Sequence, residues 1–140
     1  MDKIEKHDAI DKFEKALLQH APVTCPLTHV FTPGLYMRKV EIPAGTILTS
    51  KIHKTEHQFV LLKGKVSVMV DDVVQYLEAP YHGITKAGTR RVVLTHEPTI
   101  WITFHATDKN TPEEVEEEVI EKHDNKYFTE VEKRILNNKI

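Results

Sequence analysis

Apolar residues recur at helical spacing near the start of the chain, at Ile4, Ile10, Phe13, Leu17 and Leu18, with charges on the positions between them. That period predicts an amphipathic helix over residues 3–19, ended by Pro22 and Pro26. From Leu35 to Phe104 the texture changes to short β-branched runs: LYMRKVEI, TILTSKIH, HQFVLLK, KVSVMV, VVQYLE, TRRVVLT and TIWITFH. Turn signals separate them, at Pro33–Gly34, Pro43–Gly45, Lys63–Gly64, Asp71–Asp72, Glu78–Pro80 and Ala87–Gly88. Seven or eight strands joined by tight turns, without helical segments between them, predict an all-β antiparallel sandwich or barrel. The tail returns to helix. Thr111 is a candidate N-cap, Pro112 suits the first helical position and Glu114 completes a capping box. The run Glu113 to Glu118 reads as a solvated face, with Val115 and Val119 as its apolar edge. Phe128, Val131 and Ile135 mark a further helical segment.

Length and composition narrow the class. A chain of 140 residues predicts one core, divided as an N-terminal helix and connector over 1–27, a β-barrel over 28–108 and a helical tail over 109–140. No apolar run approaches the length of a membrane span, and charges run through the N-terminal segment where a secretory signal would be apolar. A soluble cytoplasmic protein is expected, without a membrane partner. Cys25 is the only cysteine, so an internal disulfide is excluded and an inert thiol is expected there. Residues 21–107 carry nine Lys/Arg against six Asp/Glu and residues 108–140 carry six against ten. An excess of three cations is too small for a nucleic-acid duplex footprint, yet compatible with a small anionic ligand.

The stretch KIHKTEHQF, Lys51 to Phe59, places two histidines four residues apart. A helical zinc-protease reading fails because its flanks are strand-like. One straight strand fails as well, since residues i and i+4 lie about 13 Å apart at ~3.3 Å per residue. A reversal at Lys54–Glu56 would let His53 end one strand and His57 begin the next, paired across antiparallel strands with Cβ atoms about 5 Å apart.

Here the sequence resembles the cupin superfamily, whose first motif runs G-x5-H-x-H-x3-4-E-x6-G. Gly45, Lys51, His53, His57 and Gly64 reproduce its spacing, with Lys51 in place of the first histidine and His57 in place of the glutamate. The second motif, G-x5-P-x-G-x2-H-x3-N, falls on Pro80, Lys86, Gly88, Arg91 and Thr95. Gly88 matches, and Arg91 stands where the fourth ligand would be. The chain also resembles small cupin-like proteins of bacteriophages, through His53-Lys-Thr-Glu-His57, Gly88-Thr-Arg-Arg91 and the series Trp101, Thr103, His105, Thr107. For a phage-encoded chain the cytoplasm is the host's.

The resemblance implies a jelly-roll barrel flanked by helices, a pairing of such barrels as a homodimer, and a site in the barrel mouth. His53 and His57 are its candidate ligands for a divalent metal (Fe, Zn, Mn or Ni), with His82, His105 or Glu56 to complete the set. Lys51, Arg91 and His105 are candidate groups for a small-molecule ligand. Lys51 and Arg91 are donors without a lone pair, so the same residues also form an anion or nucleotide pocket. Metal-independent isomerases of the superfamily imply a histidine base there, with Tyr36 or Tyr81 as acid. A third reading is a non-catalytic oligomeric module. His7, His20, His29, His96 and His123 read as surface or core residues, and Trp101 as a core aromatic.

Overall fold

The computed structural model describes residues 2–132. Helix α1 spans Lys3–Leu17; its N-cap is Asp2, whose side chain accepts from the Glu5 backbone N–H at 2.8 Å. Nine strands follow: β1 Leu27–Thr32, β2 Leu35–Ile42, β3 Ile47–Thr49, β4 His57–Lys63, β5 Lys65–Val70, β6 Val73–Glu78, β7 Tyr81–Thr85, β8 Val92–Thr95 and β9 Thr99–Ala106. Helix α2 spans Pro112–Val119. The Thr111 N-cap forms as the pattern predicts, its Oγ1 accepting from the Glu114 N–H; the Glu114 carboxylate takes the Thr111 hydroxyl and not the backbone N–H that a full capping box would use.

The strands form two antiparallel sheets, ordered β1-β2-β9-β4-β7 and β3-β8-β5-β6. They are not hydrogen-bonded into a closed ring, so the barrel of the sequence reading is a jelly-roll of two facing sheets. Alternation decides what lies between them. Phe59 and Leu61 from β4, Ile42 from β2 and Trp101 from β9 pack against Val66, Val68, Leu77 and Val93 of the other sheet. Strands at Leu27–Thr32 and Tyr81–Thr85 were not among the predicted runs. The first shows no alternation of burial. The second carries Gly83, which stands opposite Phe59, where a Cβ would lie 2.9 Å from the Phe59 ring.

Two compact units divide the chain, residues 23–122 and residues 2–22 with 123–132. The second unit is closed by polar contacts. Asp11 is buried and takes His123 Nε2 at 2.8 Å, Asn125 donates to the Asp11 carbonyl at 3.0 Å and Tyr127 donates to Asp8 at 2.7 Å. Residues 130–132 are helical, with Thr129 as their cap. Ile135, which the sequence pattern places on that helix, lies outside the described residues. No helix among the described residues is long and apolar enough to cross a membrane.

Candidate functional site

Three strands of the larger sheet present inward faces that change character along their length. On β2 the inward series is Tyr36, Arg38, Val40 and Ile42; on β9 it is His105, Thr103, Trp101 and Thr99; on β4 it is His57, Phe59 and Leu61. Register aligns them: Tyr36 faces His105, Arg38 faces Thr103, and Phe59 faces Thr103 from the other side. One end of the interior is therefore apolar and the other polar. At the polar end β7 adds Thr85, opposite His57.

His53 reaches this end from outside the strands. Strand β3 stops at Thr49, earlier than the run TILTSKIH predicts, and His53 does not pair with the strand of His57 as the sequence reading expected. It forms an isolated antiparallel bridge with Ile120, just after α2, and its carbonyl accepts from the Gly88 N–H at 2.7 Å. The reversal after it still brings the rings together. The centroids of His53 and His57 lie 4.5 Å apart, those of His57 and His105 4.5 Å, and those of His53 and His105 6.2 Å.

Each ring keeps one buried nitrogen without a hydrogen-bond partner among the described residues: Nδ1 of His53, Nε2 of His57 and Nδ1 of His105. The other nitrogen of His105 meets the Thr103 hydroxyl at 3.2 Å, and Nδ1 of His57 makes a long 3.5 Å contact with the Thr55 carbonyl. Burial pushes His53 down to about 3, helped by His57 and Arg91. It pushes His57 and His105 down to about 4. All three imidazoles are neutral near pH 7.

Two guanidiniums stand beside them. Arg91 is buried; Nη1 donates to Thr85 Oγ1 at 2.9 Å, and its carbon lies 5.1 Å from the Trp101 centroid and 5.5 Å from that of Phe59, two rings stacked at 4.6 Å. Burial lowers its pKa to about 10. Arg38 is lowered by burial too, and its charge acts on His53, His105 and Lys51. Among the described residues neither guanidinium has an Asp or Glu ion-pair partner. Buried Arg91 and partly buried Arg38, next to three neutral imidazoles and without a carboxylate partner among the described residues, make a site that favours negative charge.

The structure thus gathers His53, His57, His105 and Arg91 and adds Arg38, which the sequence reading missed. A signal for Arg38 existed, since it shares the inward parity of Tyr36, Val40 and Ile42. Lys51 stands outside this cluster, at its rim. Its ammonium is half exposed and paired with Glu116 of α2. His82 and Glu56 are exposed, and the Tyr81 ring lies tilted against Phe59 at 6.0 Å. Tyr36 is buried, stacks on His105 at 5.9 Å and shares a 2.5 Å hydrogen bond with His29 Nδ1. Trp101 is a core aromatic, as expected.

The fold family's metal chemistry can be tested against this donor set. Neutral imidazoles with unpartnered nitrogens are suitable donors. Their placement and surroundings do not fit: no group of three or more His, Cys, Asp or Glu among the described residues is disposed to hold a metal ion, and the adjoining charges are cations.

No protein-family model matches the sequence, and no curated protein does. Solved structures do match. A cupin domain of Schizosaccharomyces pombe aligns at TM-score 0.51 and 22% identity over 66% of this chain and 67% of that one. A cupin 2 domain-containing protein of Halorhodospira halophila aligns at 0.55 and 16%, over 66% and 71%. Salicylate 1,2-dioxygenase of Pseudoaminobacter salicylatoxidans, with gentisate, aligns at 0.53 and 14%, over 71% of this chain and 31% of that one. At these identities the likeness is one of fold.

Proposed function

We propose that this chain, which has the cupin fold, binds a small anionic molecule at the polar end of its two-sheet interior, between the His53, His57 and His105 rings and the Arg38 and Arg91 guanidiniums. The observation that carries the reading is the buried Arg91 guanidinium beside the partly buried Arg38, neither with a carboxylate partner among the described residues. Removing such cations from water costs several kcal/mol each unless an anion compensates, and a phosphate or carboxylate does so with charge-assisted hydrogen bonds. The imidazoles contribute donors that are not fixed charges, so the ligand keeps the bulk of its interaction with the two arginines. Gentisate, held by the dioxygenase that shares the fold, serves as an anionic probe.

Calorimetric titration with inorganic phosphate and with gentisate at neutral pH tests the reading. Saturable binding of one equivalent is expected, weakened roughly tenfold to a hundredfold in Arg91→Gln, the worth of a charge-assisted hydrogen bond of about 1.5–3 kcal/mol. Binding of neither probe would overturn it. So would near-stoichiometric Fe, Zn, Mn or Ni in the purified protein that a His53→Ala, His57→Ala variant loses.

A further inference from the structure

Helix α2 and the two residues after it are attached to the rim of the polar end by contacts of one kind of charge. Lys51 pairs with Glu116, Lys54 donates through Nζ to the Glu117 carbonyl at 3.1 Å, and Glu113 acts electrostatically on His29 and Tyr36. Backbone bonds continue the attachment. Lys54 N–H donates to Val119 at 2.7 Å, Glu121 N–H donates to Ile52 at 2.8 Å, and Ile120 bridges His53. The apolar edge, Val115 and Val119, packs against Tyr36, which stacks on His105. The helix sequence PEEVEEEV carries five carboxylates. The rim beneath it carries Lys51 and Lys54.

We infer that α2 is an acidic strap which occupies the cationic rim as an internal stand-in for an anion and gates access to His53. The inference rests on the anion reading for the sign of the competing ligand and on contacts of this chain for the strap itself. Two buried valines, a few backbone bonds and a half-exposed ion pair hold eight residues, a small anchorage compared with the paired strands, so local opening is the accessible motion. An anion arriving at Lys51 takes the place of Glu116. Its release lets the carboxylate return. Salt acts in the same direction, because the ion pair is at the surface and screened.

Acylation of histidine by diethyl pyrocarbonate, read by mass spectrometry, reports the gate without a ligand. His82 and His96, both exposed, serve as internal standards, at a temperature where circular dichroism shows wild type and variants equally folded. Labelling of His53 is expected to rise severalfold in Glu113→Gln/Glu116→Gln and in Lys51→Gln. In wild type it is expected to rise between low salt and about 0.5 M salt. Equal labelling of His53 in wild type and both variants would overturn the strap. Inorganic phosphate should also bind the glutamine double variant severalfold more tightly than wild type. Faster labelling with phosphate binding to neither protein would keep the strap and overturn the anion reading instead.

Discussion

The rings of His57 and His105 lie 4.5 Å apart, centroid to centroid, although they belong to strands β4 and β9, whose registered pairs begin at Gln58 and Phe104. Strand pairing thus fixes their proximity, and the interior holds them neutral. With His53 they fall to about 3 and 4 from an ordinary value of 6.5. The unfolded chain therefore binds more protons than the folded one at acid pH. Stability is full above about pH 6.5 and is lost as pH falls from there toward about 4, by up to ~1.4 kcal/mol per pH unit for each ring. Urea unfolding at several pH values checks the slope, and His105→Gln should remove one ring's share.

Arg91 places a charge among Thr85, Phe59 and Trp101. Its replacement by methionine, which follows the same path without a charge to desolvate, is expected to raise stability without ligand by on the order of 1 kcal/mol while phosphate binding weakens at least as much as in Arg91→Gln. Chemical denaturation with and without phosphate measures both.

Leu61 and Leu62 are neighbours with opposite fates. Leu61 is fully buried and Leu62 is 54% exposed. Leu61→Ala should cost about 2–5 kcal/mol and Leu62→Ala within about 0.5 kcal/mol, as measured by equilibrium unfolding.

Gly64 joins β4 to β5 at φ +103°, and a Cβ there would lie 2.5 Å from Thr99 Oγ1 and 2.8 Å from the Pro98 carbonyl. Both the conformation and the space forbid a side chain. Gly64→Ala is expected to cost more than about 1 kcal/mol, visible as a lower melting temperature.

Alternation made much of the fold legible. The runs HQFVLLK and KVSVMV coincide with β4 and β5 and LYMRKVEI with β2, because a strand with one face in the core writes that face into every second residue; VVQYLE coincides with β6 through its apolar and aromatic composition between turn signals, since Leu77 is its single buried residue. The Thr111 cap was legible for an equally local reason. Leu27–Thr32 was not, since an edge strand with little buried surface leaves no such period. Parity also distinguished the inward from the outward residues of β2 and β9, but it carries no information about depth. Thus Arg38 at the polar end and Val40 nearer the core look alike in the pattern. The spacing of Lys51 with His53 pointed to a shared site, whereas the structure turns Lys51 to Glu116. That pairing depends on where α2 docks, a tertiary fact with no local signature.

The polar end assembles from Arg38 on the second strand, His53 and His57 around the fourth, Arg91 before the eighth and His105 on the ninth. No contiguous fragment shorter than residues 38–105 contains it. A molecule bound there would join the early part of the polypeptide to the late part, so that occupancy would report completion of the whole β-unit. An unfinished or half-folded chain would have nothing to offer it, and every molecule bound would shift the balance toward the finished chain by mass action.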